Sequence, residues 1–398
     1  MRPPRGPWMR AARPLLPQLR RWRAAFHREP ELSNQESRTQ AMVMAALDLL
    51  KIRYTTYPKF HGVLGVIGAD RPGPVVALRA DMDALPVTEA TGLPYRSSTP
   101  GRMHACGHDV HMSCLLGAAA LLARQGRALR GPVKLVFQPA EEEGQAGGAL
   151  PFLERGAFDD PSVDFVVGQH VSPELPVGTI GWRKGPIYAA ADHFIVRVIG
   201  RGAHAGYPHL GIDAVVTASE VVLALQTLVS RLRDPVDPVV VSVGMIHGGT
   251  RHNVLPDEVV LEGTVRTLRA ETRDRMERAL KRRIRQVAAS IGASVQITYR
   301  RGYPPTVNPP AATEIVVQAL TQELGDAALV ELDHPTMGAE DFSRYLERVP
   351  GTFLKLGVGN GRGSASLHSA RFAPPDASLP IGAAALACAA TALQRGDR

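Results

Sequence analysis

The chain has 398 residues, a hydrophobic content of 44% and a formal net charge of +8 at pH 7. This length suits two domains or one large domain, and no apolar run is expected to reach the length of a transmembrane helix. The cysteines Cys106, Cys114 and Cys388 are odd in number and widely spread. They exclude a disulfide framework and indicate a reducing compartment, which we take to be the cytoplasm.

The excess of basic residues raises the question of nucleic-acid binding. Arg far outnumbers Lys and is spread along the whole chain, as codon composition would produce. The densest cluster, at 273–285, has apolar residues spaced for one helix face, so its charges are typical of a solvated face. We therefore expect neither a nucleic-acid nor a membrane partner. Residues 1–14 carry Pro and Arg without the apolar core of a signal peptide, and we predict a disordered basic leader there.

Helices are predicted over 15–28, 37–51 and 112–125, and β-rich runs bounded by Gly and Pro predict strands at 62–68, 75–79, 133–137 and 165–167. Polar side chains follow three of these strands. Asp81 follows the second, Glu141 and Glu142 follow the third, and His170 follows the fourth. In a doubly wound parallel sheet, ligands bind at the carboxyl ends of the strands. These side chains should therefore converge on one edge of one sheet.

The pattern changes to β-α-β-β-α-β between residues 185 and 301, which is the split arrangement of a ferredoxin-like domain. Its strands are predicted at 193–199, 239–246, 258–267 and 293–299, and its helices at 212–232 and 270–290. Helix and strand then alternate again, at 313–323 and 352–357, before a final Ala-rich helix at 379–393. We therefore predict an α/β domain at 15–186 and 302–398, with a second domain inserted at 187–301.

The densest cluster of ligand-type side chains is Met-His-Ala-Cys-Gly-His-Asp-Val-His at 103–111. Cys106 and His108 are two residues apart, so both can point at one ion, and Gly107 leaves room between them. Thiolate with imidazole suits zinc, and His with carboxylates also admits manganese or cobalt. Taken alone, the motif fits equally a small buried cysteine with capping groups at a helix start.

Glu141 and Glu142 form a second pair of chemical interest. Adjacent carboxylates are common on solvated helix starts, where they favour the positive end of the helix dipole. At a strand end, between Pro139 and Gly144, they are more typical of a metal ligand beside a general base.

Histidines elsewhere are weaker signals on their own. His170 could be a core histidine with satisfied hydrogen bonds, although two prolines in the following loop indicate a fixed, non-helical site. His368 would not stand alone. His204 lies in a glycine-rich turn outside the metal domain, which favours a hydrogen bond towards a substrate.

Six motifs, in this order along the chain, resemble the two-metal amidohydrolases. That family includes hippurate hydrolases, N-acyl-amino-acid hydrolases, N-acetyl-diaminopimelate deacetylases and plant indoleacetyl-amino-acid hydrolases. The resemblance covers about residues 24 to 390. The motifs are Arg-Ala-Asp-Met-Asp-Ala-Leu-Pro at 79–86, Met-His-Ala-Cys-Gly-His-Asp at 103–109, Gln-Pro-Ala-Glu-Glu at 138–142, Gly-Arg-Gly-Ala-His-Ala at 200–205, Asn-Val-Leu-Pro-Asp at 253–257 and Met-Gly-Ala-Glu-Asp-Phe at 337–342.

The resemblance implies a metallopeptidase-type catalytic domain with two divalent ions and a smaller lid that also dimerises. It maps the general base onto Glu141, and Asp81 would lie behind the ligands and orient a ligating histidine. His204 matches a lid histidine that reaches a neighbouring active site, and Asn253 and Arg266 match positions that touch the substrate carboxylate. The implied metal ligands are Cys106, His108, Glu142, His170 and His368.

Two positions depart from the family's pattern. Glu143 stands where Gly is common, and Ala370 stands where Leu-His-x-Pro is usual. The first 14 residues lie outside the resemblance.

The implied reaction is hydrolysis of an N-acyl-L-amino acid, hippurate-like or N-acetylated, to a carboxylic acid and a free amino acid. The implied enzyme is a homodimer or dimer of dimers that uses Zn²⁺ or Mn²⁺, with Co²⁺ as a further acceptable ion. Glu141 would carry the proton from water to the leaving amine, and His204 would help to stabilise the oxyanion. A dipeptidase or carboxypeptidase needs the same water, metals and carboxylate grip and stays open as an alternative. A non-catalytic binding protein on this fold would lack Glu141 or the ligands, whereas this chain has them all.

Overall fold

The computed structural model describes residues 6–144, 146–361 and 364–396. Its helices are α1 (Pro7–Ala12), α2 (Leu16–Arg28), α3 (Ser37–Leu49), α4 (His108–Ala123), α5 (Ala149–Glu154), α6 (Ala214–Arg231), α7 (Ala270–Ser290), α8 (Pro310–Leu324), α9 (Ser343–Leu346) and α10 (Leu379–Arg395). Its strands are β1 (Arg53–Tyr57), β2 (Phe60–Ile67), β3 (Val76–Asp81), β4 (Val133–Gln138), β5 (Phe165–Pro176), β6 (Ile180–Trp182), β7 (Gly185–Tyr188), β8 (Ala190–Ile199), β9 (Ala203–His204), β10 (Val239–Gly248), β11 (Val254–Leu255), β12 (Glu258–Thr267), β13 (Ser294–Arg301), β14 (Thr306–Asn308), β15 (Leu329–Glu331) and β16 (Gly351–Gly359).

The described chain divides into two compact units. The larger unit contains the described residues up to Ile187, Val307–His334, and those from Asp341 onward. The smaller unit contains Tyr188–Thr306 and Pro335–Glu340. The smaller unit includes most of the segment predicted to be inserted, and its role as a lid and dimerisation domain stays a prediction.

The larger unit is built on an eight-stranded sheet with the order β1-β2-β4-β3-β5-β16-β6-β15. Its centre is parallel, because β3 pairs in parallel with β4 and β5, and β5 pairs in parallel with β16. The flanks are antiparallel where a short turn joins β1 to β2 and where β6 meets β16. The predicted α/β class is therefore confirmed, with a mixed sheet whose parallel centre carries the strand ends of interest.

Helices α4 and α10 are apolar because they lie inside the larger unit. They pack against each other, and α10 also packs against α8 and β5. Two stretches, Ala214–Arg231 and Asp376–Arg395, are long and apolar enough by composition to cross a membrane, which differs from our expectation. In the second, 78% of the apolar window is buried within the protein. Packing in the core accounts for the hydropathy of α10.

The leader predicted to be disordered at residues 1–14 is ordered where the structure describes it. Pro7 begins α1, a position that suits proline because the first helical N–H needs no partner. Met9 and Ala12 are buried, and the Met9 N–H donates to Oε1 of Glu323 over 2.7 Å. The helix packs against α4, α8 and α10. The prediction was wrong because it weighed the basic residues above the apolar spacing; residues 1–5 lie outside the described part.

The smaller unit has a four-stranded antiparallel sheet with the order β10-β12-β8-β13. Helices α6 and α7 pack on this sheet around a core that includes Phe194, Leu225, Leu261 and Leu280. The strand order and the two helices are those of the predicted ferredoxin-like arrangement. Asp213 begins α6 by accepting the N–H groups of residues 215 and 216.

Candidate metal centre

Three neighbouring parallel strands bring the predicted site residues to one edge of the larger sheet. Asp81 is the last residue of β3, and Glu141 follows β4 after Pro139 and Ala140. His170 lies within β5 rather than after it, because β5 continues to Pro176. The expected convergence on one edge is therefore found, with this correction to the position of His170.

A left-handed glycine shapes the loop that carries Cys106 and His108. Helix α4 begins at His108, earlier than the predicted start at residue 112, and Gly107 precedes it with φ 86° and ψ 17°. A side chain at Gly107 would place its Cβ 2.6 Å from Cγ2 of Val171. Glycine is therefore required both by the backbone conformation and by the close approach of β5.

The five predicted ligands form one cluster with Glu141. Sγ of Cys106 lies 3.3 Å from Nε2 of His170, and Oε1 of Glu142 lies 3.4 Å from Nε2 of His368 and 3.9 Å from Nε2 of His108. Among these six residues, ligand atoms within 4.8 Å of one another form three overlapping groups: Cys106 with His108 and His170, Cys106 with Glu142 and His368, and His108 with Glu141 and Glu142.

This cluster has the donor set that a pair of divalent cations needs. Within the described part of the chain, neither Nε2 of His108 nor Oε1 of Glu142 makes a hydrogen bond, although both atoms are buried. A buried polar atom without a partner costs about 1–3 kcal/mol. Thiolate, imidazole and carboxylate groups that face one another are donors that bind cations, and cations would be the missing partners of these atoms. The residues present therefore fit two divalent metal ions.

Negatively charged side chains around the cluster favour the binding of positive charge. Burial opposes protonation of His108, but Asp81, Asp83 and Glu142 outweigh it and raise the pKa of His108 to about 10. Burial raises the pKa of the Cys106 thiol well above its usual value, and the charges of Glu142 and Glu141 raise it further. The site thus has an excess of negative charge that holds protons when no cation is bound.

His111 is a member of the site to which the sequence assigned no role. Its Nδ1 atom lies 2.6 Å from Oδ1 of Asp81, and its Nε2 atom accepts the N–H of Val171 over 2.9 Å. The ring therefore donates from Nδ1 and is neutral, and burial lowers its pKa although Asp81 opposes this. The signal for it was the spacing of His108 and His111, which places both on one face of α4.

His170 is oriented by its own backbone. Its Nδ1 atom donates to the carbonyl of Val171 over 2.7 Å, which leaves Nε2 to face Cys106 as an acceptor. Burial, followed by the charges of His111 and Lys355, lowers the pKa of His170 well below its usual value. A neutral imidazole with its lone pair turned inward is the form that binds a metal.

Asp81 is held by a buried arginine. Nη1 of Arg79 donates to Oδ2 of Asp81 and Nη2 donates to Oδ1 of Asp341, each over 2.7 Å. Nε of Arg79 donates to Gln138 over 2.9 Å. Burial opposes ionisation of Asp81, but His108, His111 and Arg79 hold its pKa well below the usual range. Asp81 is therefore an ionised carboxylate that touches His111 and lies 3.8 Å from Nε2 of His108.

Buried carboxyl groups hold the backbone of the loop that carries Glu141 and Glu142. Oε1 of Glu36 accepts the N–H of Ala140 over 2.8 Å, and Oδ2 of Asp83 accepts the N–H of Glu142 over 2.9 Å. Ala140 has φ 57° and ψ 38°, which is left-handed although the residue is not glycine. The loop therefore begins in a conformation that its own sequence does not favour.

Of the two departures from the family's pattern, Glu143 makes side-chain contacts, whereas Ala370 makes a backbone contact that any residue could make. Oε2 of Glu143 accepts the N–H groups of Ala146 and Gly147 over 2.9 and 3.1 Å, so this third acid closes the loop. The carbonyl of Ala370 accepts the N–H of Ala90 over 2.7 Å, which fixes the loop after His368. His368 itself has φ 64°, and its N–H donates to the carbonyl of Ala105, next to Cys106.

Behind the cluster, a buried ionic network reaches the first turn of α4. Oδ2 of Asp109 accepts from Nε of Arg23 over 3.0 Å and from Nδ1 of His27 over 2.9 Å. Nε2 of His27 lies 3.3 Å from Oε1 of Glu89. Burial opposes protonation of His27, but Asp109 and Glu89 raise its pKa to about 9. The network anchors the residue that follows His108.

The remaining predicted residues lie on the smaller unit. His204 is exposed on β9. The N–H of the next residue, Ala205, donates to the carbonyl of Asn253 over 3.0 Å, so His204 and Asn253 are neighbours. Nδ1 of His204 accepts the N–H of Gly206 over 3.0 Å, which leaves Nε2 to carry the proton of the neutral ring. Arg266 is half-buried on β12, and burial lowers its pKa although Asp192 opposes this. The roles of these three residues stay predictions.

Comparison with known proteins finds a matching family, similar relatives and similar solved structures. The model of the peptidase family M20/M25/M40 matches residues 77–392. The chain is 42% identical over 337 residues to the N-acetyl-L-cysteine deacetylase of Bacillus subtilis, which covers 84% of this chain and 79% of the relative. It is 38% identical over 367 residues to thermostable carboxypeptidase 1 of Saccharolobus solfataricus, and this match covers 91% of this chain and 92% of the relative. Among solved structures, the YXEP protein of Bacillus subtilis, a dinuclear metal binding peptidase, matches with a TM-score of 0.83 at 32% identity over 96% of this chain and 99% of the other.

Proposed function

Because the chain belongs to the peptidase family M20/M25/M40 and is a hydrolase of amide bonds, we propose that it cleaves N-acyl-L-amino acids to a carboxylic acid and a free amino acid. The observation that carries the proposal is the cluster in which ligand atoms of Glu141, Glu142 and His108 lie within 4.8 Å of one another. Glu141 is adjacent to the proposed ligand Glu142 and is not itself in the implied ligand set. Its carboxylate can therefore serve as the base. The deacetylase relative supports the choice of an N-acyl amino acid as substrate.

Two divalent ions, when bound, lower the pKa of water and polarise an amide carbonyl. We assign their binding to Cys106, His108, Glu142, His170 and His368, and we propose Zn²⁺ or Mn²⁺ as the ions, with Co²⁺ as a substitute.

Glu141 is assigned the proton transfer. Its carboxylate takes a proton from the attacking water and delivers it to the leaving amine, which departs as a neutral amine only if it is protonated. Asp81 acts through its contacts with His111 and the nearby His108, and does not bind metal itself. The shared buried position of Asp81 and Arg79 supports an orienting role over a proton-transfer role.

The smaller unit is assigned the grip on the substrate. The Nε2–H of His204 is available as a hydrogen-bond donor to an oxyanion, because Nδ1 already accepts the N–H of Gly206. Asn253 and Arg266 are assigned to the free α-carboxylate, since a guanidinium binds a carboxylate in two-point fashion.

We propose that the enzyme is a homodimer or dimer of dimers formed through the smaller unit. The support is a set of exposed apolar side chains on one helix and on the sheet's edge strand, β10. These side chains are Val215, Val216 and Leu223 on α6, and Met245 and Ile246 on β10. The three buried free cysteines suit the reducing conditions of the cytoplasm, where we place the protein.

The test is a hydrolysis screen with protein stripped of metal by EDTA and then reconstituted with Zn²⁺, Mn²⁺ or Co²⁺. The panel contains N-acetyl-L-amino acids, N-benzoylglycine, the matching methyl esters, and the D enantiomers. We expect turnover of free N-acyl-L-amino acids and a large loss of kcat/KM with the esters, which lack the carboxylate. Equal rates for acids and esters would contradict the assigned grip on the carboxylate.

A carboxypeptidase is the second candidate, favoured by the relative from Saccharolobus solfataricus. It shares the water, the metals and the carboxylate grip, and differs in accepting a peptidyl group in place of a small acyl group. Benzyloxycarbonyl dipeptides in the same screen discriminate the two. A kcat/KM for these dipeptides above that for every simple N-acyl amino acid would replace the first proposal with the second.

A further inference from the structure

The residue that turns the chain towards Glu141 is Ala140, and its left-handed conformation needs an explanation. An L-residue with φ 57° brings its Cβ close to the following carbonyl, so this conformation persists only where the surroundings impose it. Glu141 comes next in the chain. The direction of the Glu141 side chain therefore depends on what keeps Ala140 left-handed.

Glu36 supplies the one side-chain contact to the backbone N–H of Ala140 that the structure gives. Its Oε1 atom accepts this N–H over 2.8 Å, across 104 residues of sequence, and Glu36 is fully buried. We propose that Glu36 is a positioning residue for the general base, because its carboxyl oxygen keeps Ala140 left-handed and so aims Glu141. This inference rests on the role proposed above for Glu141.

The segment that carries Glu36 is itself fixed. The N–H of Ala84 donates to the carbonyl of Glu31 over 2.8 Å, and Ser33 Oγ donates to Oδ2 of Asp83 over 2.7 Å. The carbonyl of Glu36 accepts the N–H of Gln40 in the first turn of α3. Glu36 is thus held from both sides and can impose a conformation on the loop it touches.

Glu142 is held separately, and this separates the two carboxylates by function. Its N–H donates to Asp83, not to Glu36. Loss of the Glu36 contact should therefore redirect Glu141 while the contact that fixes Glu142 remains. Glu36 should affect turnover much more than metal binding.

Two substitutions at Glu36 isolate the contact. Leucine has nearly the same size but no acceptor oxygen, whereas glutamine retains an oxygen at the position of Oε1. Burial, with a contribution from Asp83, raises the pKa of Glu36 to about 8, so glutamine also preserves its neutral state at pH 7. A displacement of about 1 Å at a reacting group costs on the order of 10²-fold in rate.

We expect Glu36→Leu to lower kcat by about 10²-fold, with KM and metal content within twofold of the wild type. Glu36→Gln should keep kcat within about threefold. Adding Ala140→Gly to Glu36→Leu should recover at least about tenfold, because glycine adopts the left-handed region without a Cβ penalty. A kcat for Glu36→Leu within threefold of the wild type, or equal losses with Leu and Gln, would overturn the proposal, as would the absence of recovery with Ala140→Gly.

Glu323→Leu is the matched control. Glu323 is also a buried glutamate whose Oε1 accepts a backbone N–H, that of Met9, in a part of the fold without site residues. It should lower the melting temperature and leave kcat unchanged; an equal fall in kcat would assign the Glu36 effect to general destabilisation. If Glu36→Leu does not fold, Glu36→Asp replaces it, because the shorter side chain keeps the carboxyl group but loses reach.

Hydrogen–deuterium exchange gives a readout that does not need activity. The peptide spanning residues 138–142 should exchange faster in metal-free Glu36→Leu than in the metal-free wild type, and Glu36→Gln should match the wild type. Equal exchange in all three proteins would refute the contact. If the wild type hydrolyses no N-acyl amino acid, the proposed function fails, while exchange and metal content still decide whether Glu36 fixes the loop.

Discussion

His111 and Asp81 are joined by a 2.6 Å hydrogen bond from Nδ1 to Oδ1, and this bond fixes which nitrogen of His111 carries the proton. Nε2 is then free to accept the N–H of Val171, the residue after His170. One neutral ring therefore connects the end of β3 to β5, the strand that carries the proposed metal ligand His170.

Replacing His111 by Ala should weaken metal binding without removing a ligand. Asp81 and the N–H of Val171 would both lose a buried partner, and loss of such supporting hydrogen bonds typically costs 10–100-fold in metal affinity. Competition with a chromophoric chelator measures the affinity. The exposed His334, on the same unit, provides the control substitution; equal affinity for His111→Ala and His334→Ala would show that the ring does not support the ligands.

Glu141→Gln should keep metal binding and lose turnover. The amide has nearly the same shape but cannot accept and return a proton, and general acid–base help contributes about 10²–10⁴-fold. Steady-state kinetics with metal analysis of the same sample measures both. Glu143→Gln is the control, because Glu143 accepts the backbone N–H groups of Ala146 and Gly147 and glutamine can still do so. If Glu141→Gln instead has a kcat near that of the wild type, the base role passes to Glu142 or Glu143.

Metal binding should release protons, and metal affinity should rise with pH. The pKa of His108 is raised to about 10, and burial raises the pKa of the Cys106 thiol well above its usual value. Both groups therefore hold protons at pH 8 in the metal-free protein. A cation must displace both, so affinity increases as the pH approaches 10. Dye-monitored proton release on adding Zn²⁺ or Mn²⁺ checks the expectation. Full activity in a metal-free preparation would refute the dependence on two ions.

His27 predicts a dependence of stability on pH. Its pKa is raised from 6.5 to about 9 in the folded protein. Its contribution to the free energy of unfolding is therefore complete below pH 6.5 and is lost as the pH rises through about 9. At roughly 1.4 kcal/mol per tenfold change in proton affinity, the contribution is about 3 kcal/mol. The free energy of unfolding, measured with urea on metal-saturated protein, should fall more over this pH window for the wild type than for His27→Gln. Parallel pH profiles of the two proteins would contradict the assignment.

His204→Ala should leave folding and metal content intact and lower kcat more than it raises KM. The loss of one preorganised donor to an oxyanion costs about 3 kcal/mol. Mixing His204→Ala with Glu141→Gln discriminates action within one chain from action across a dimer. Partial recovery of activity in the mixture supports donation by a second subunit. A mixture that stays inactive, although subunit exchange is demonstrated, assigns His204 to its own chain's site.

The ligand cluster was predictable because strand ends leave a local signal. Glu141 comes three residues after the end of an apolar strand, and Cys106 and His108 share a short motif with the glycine that the turn requires. The contacts that hold these residues have no such signal. Arg79 and Asp341 are 262 residues apart, and Glu36 and Ala140 are 104 apart. Each of these pairs is set by tertiary packing, so neither residue carries a periodicity that marks it.

The same limit explains the errors at individual elements. The start of α4 was placed at residue 112 because His108 and Asp109 are polar, yet both are buried by contacts with Asp83, Arg23 and His27. The end of β5 was placed too early because its polar residues, Gln169 and His170, interrupt the apolar run although both are buried. A polar residue type therefore does not by itself mark an exposed position in this fold.

The position of α1 has a practical consequence for anyone who produces this protein. Judged by composition, its first residues look like a tail that can be trimmed or replaced by an affinity tag. Cutting at residue 14 would instead remove Met9 and Ala12 from a buried site and leave Glu323 without the N–H it accepts. The newly uncovered surface includes part of α10, whose apolar side chains hold the core together. Tags therefore belong ahead of Pro7 with a spacer, and low yield of a shortened chain would reflect aggregation through that uncovered surface.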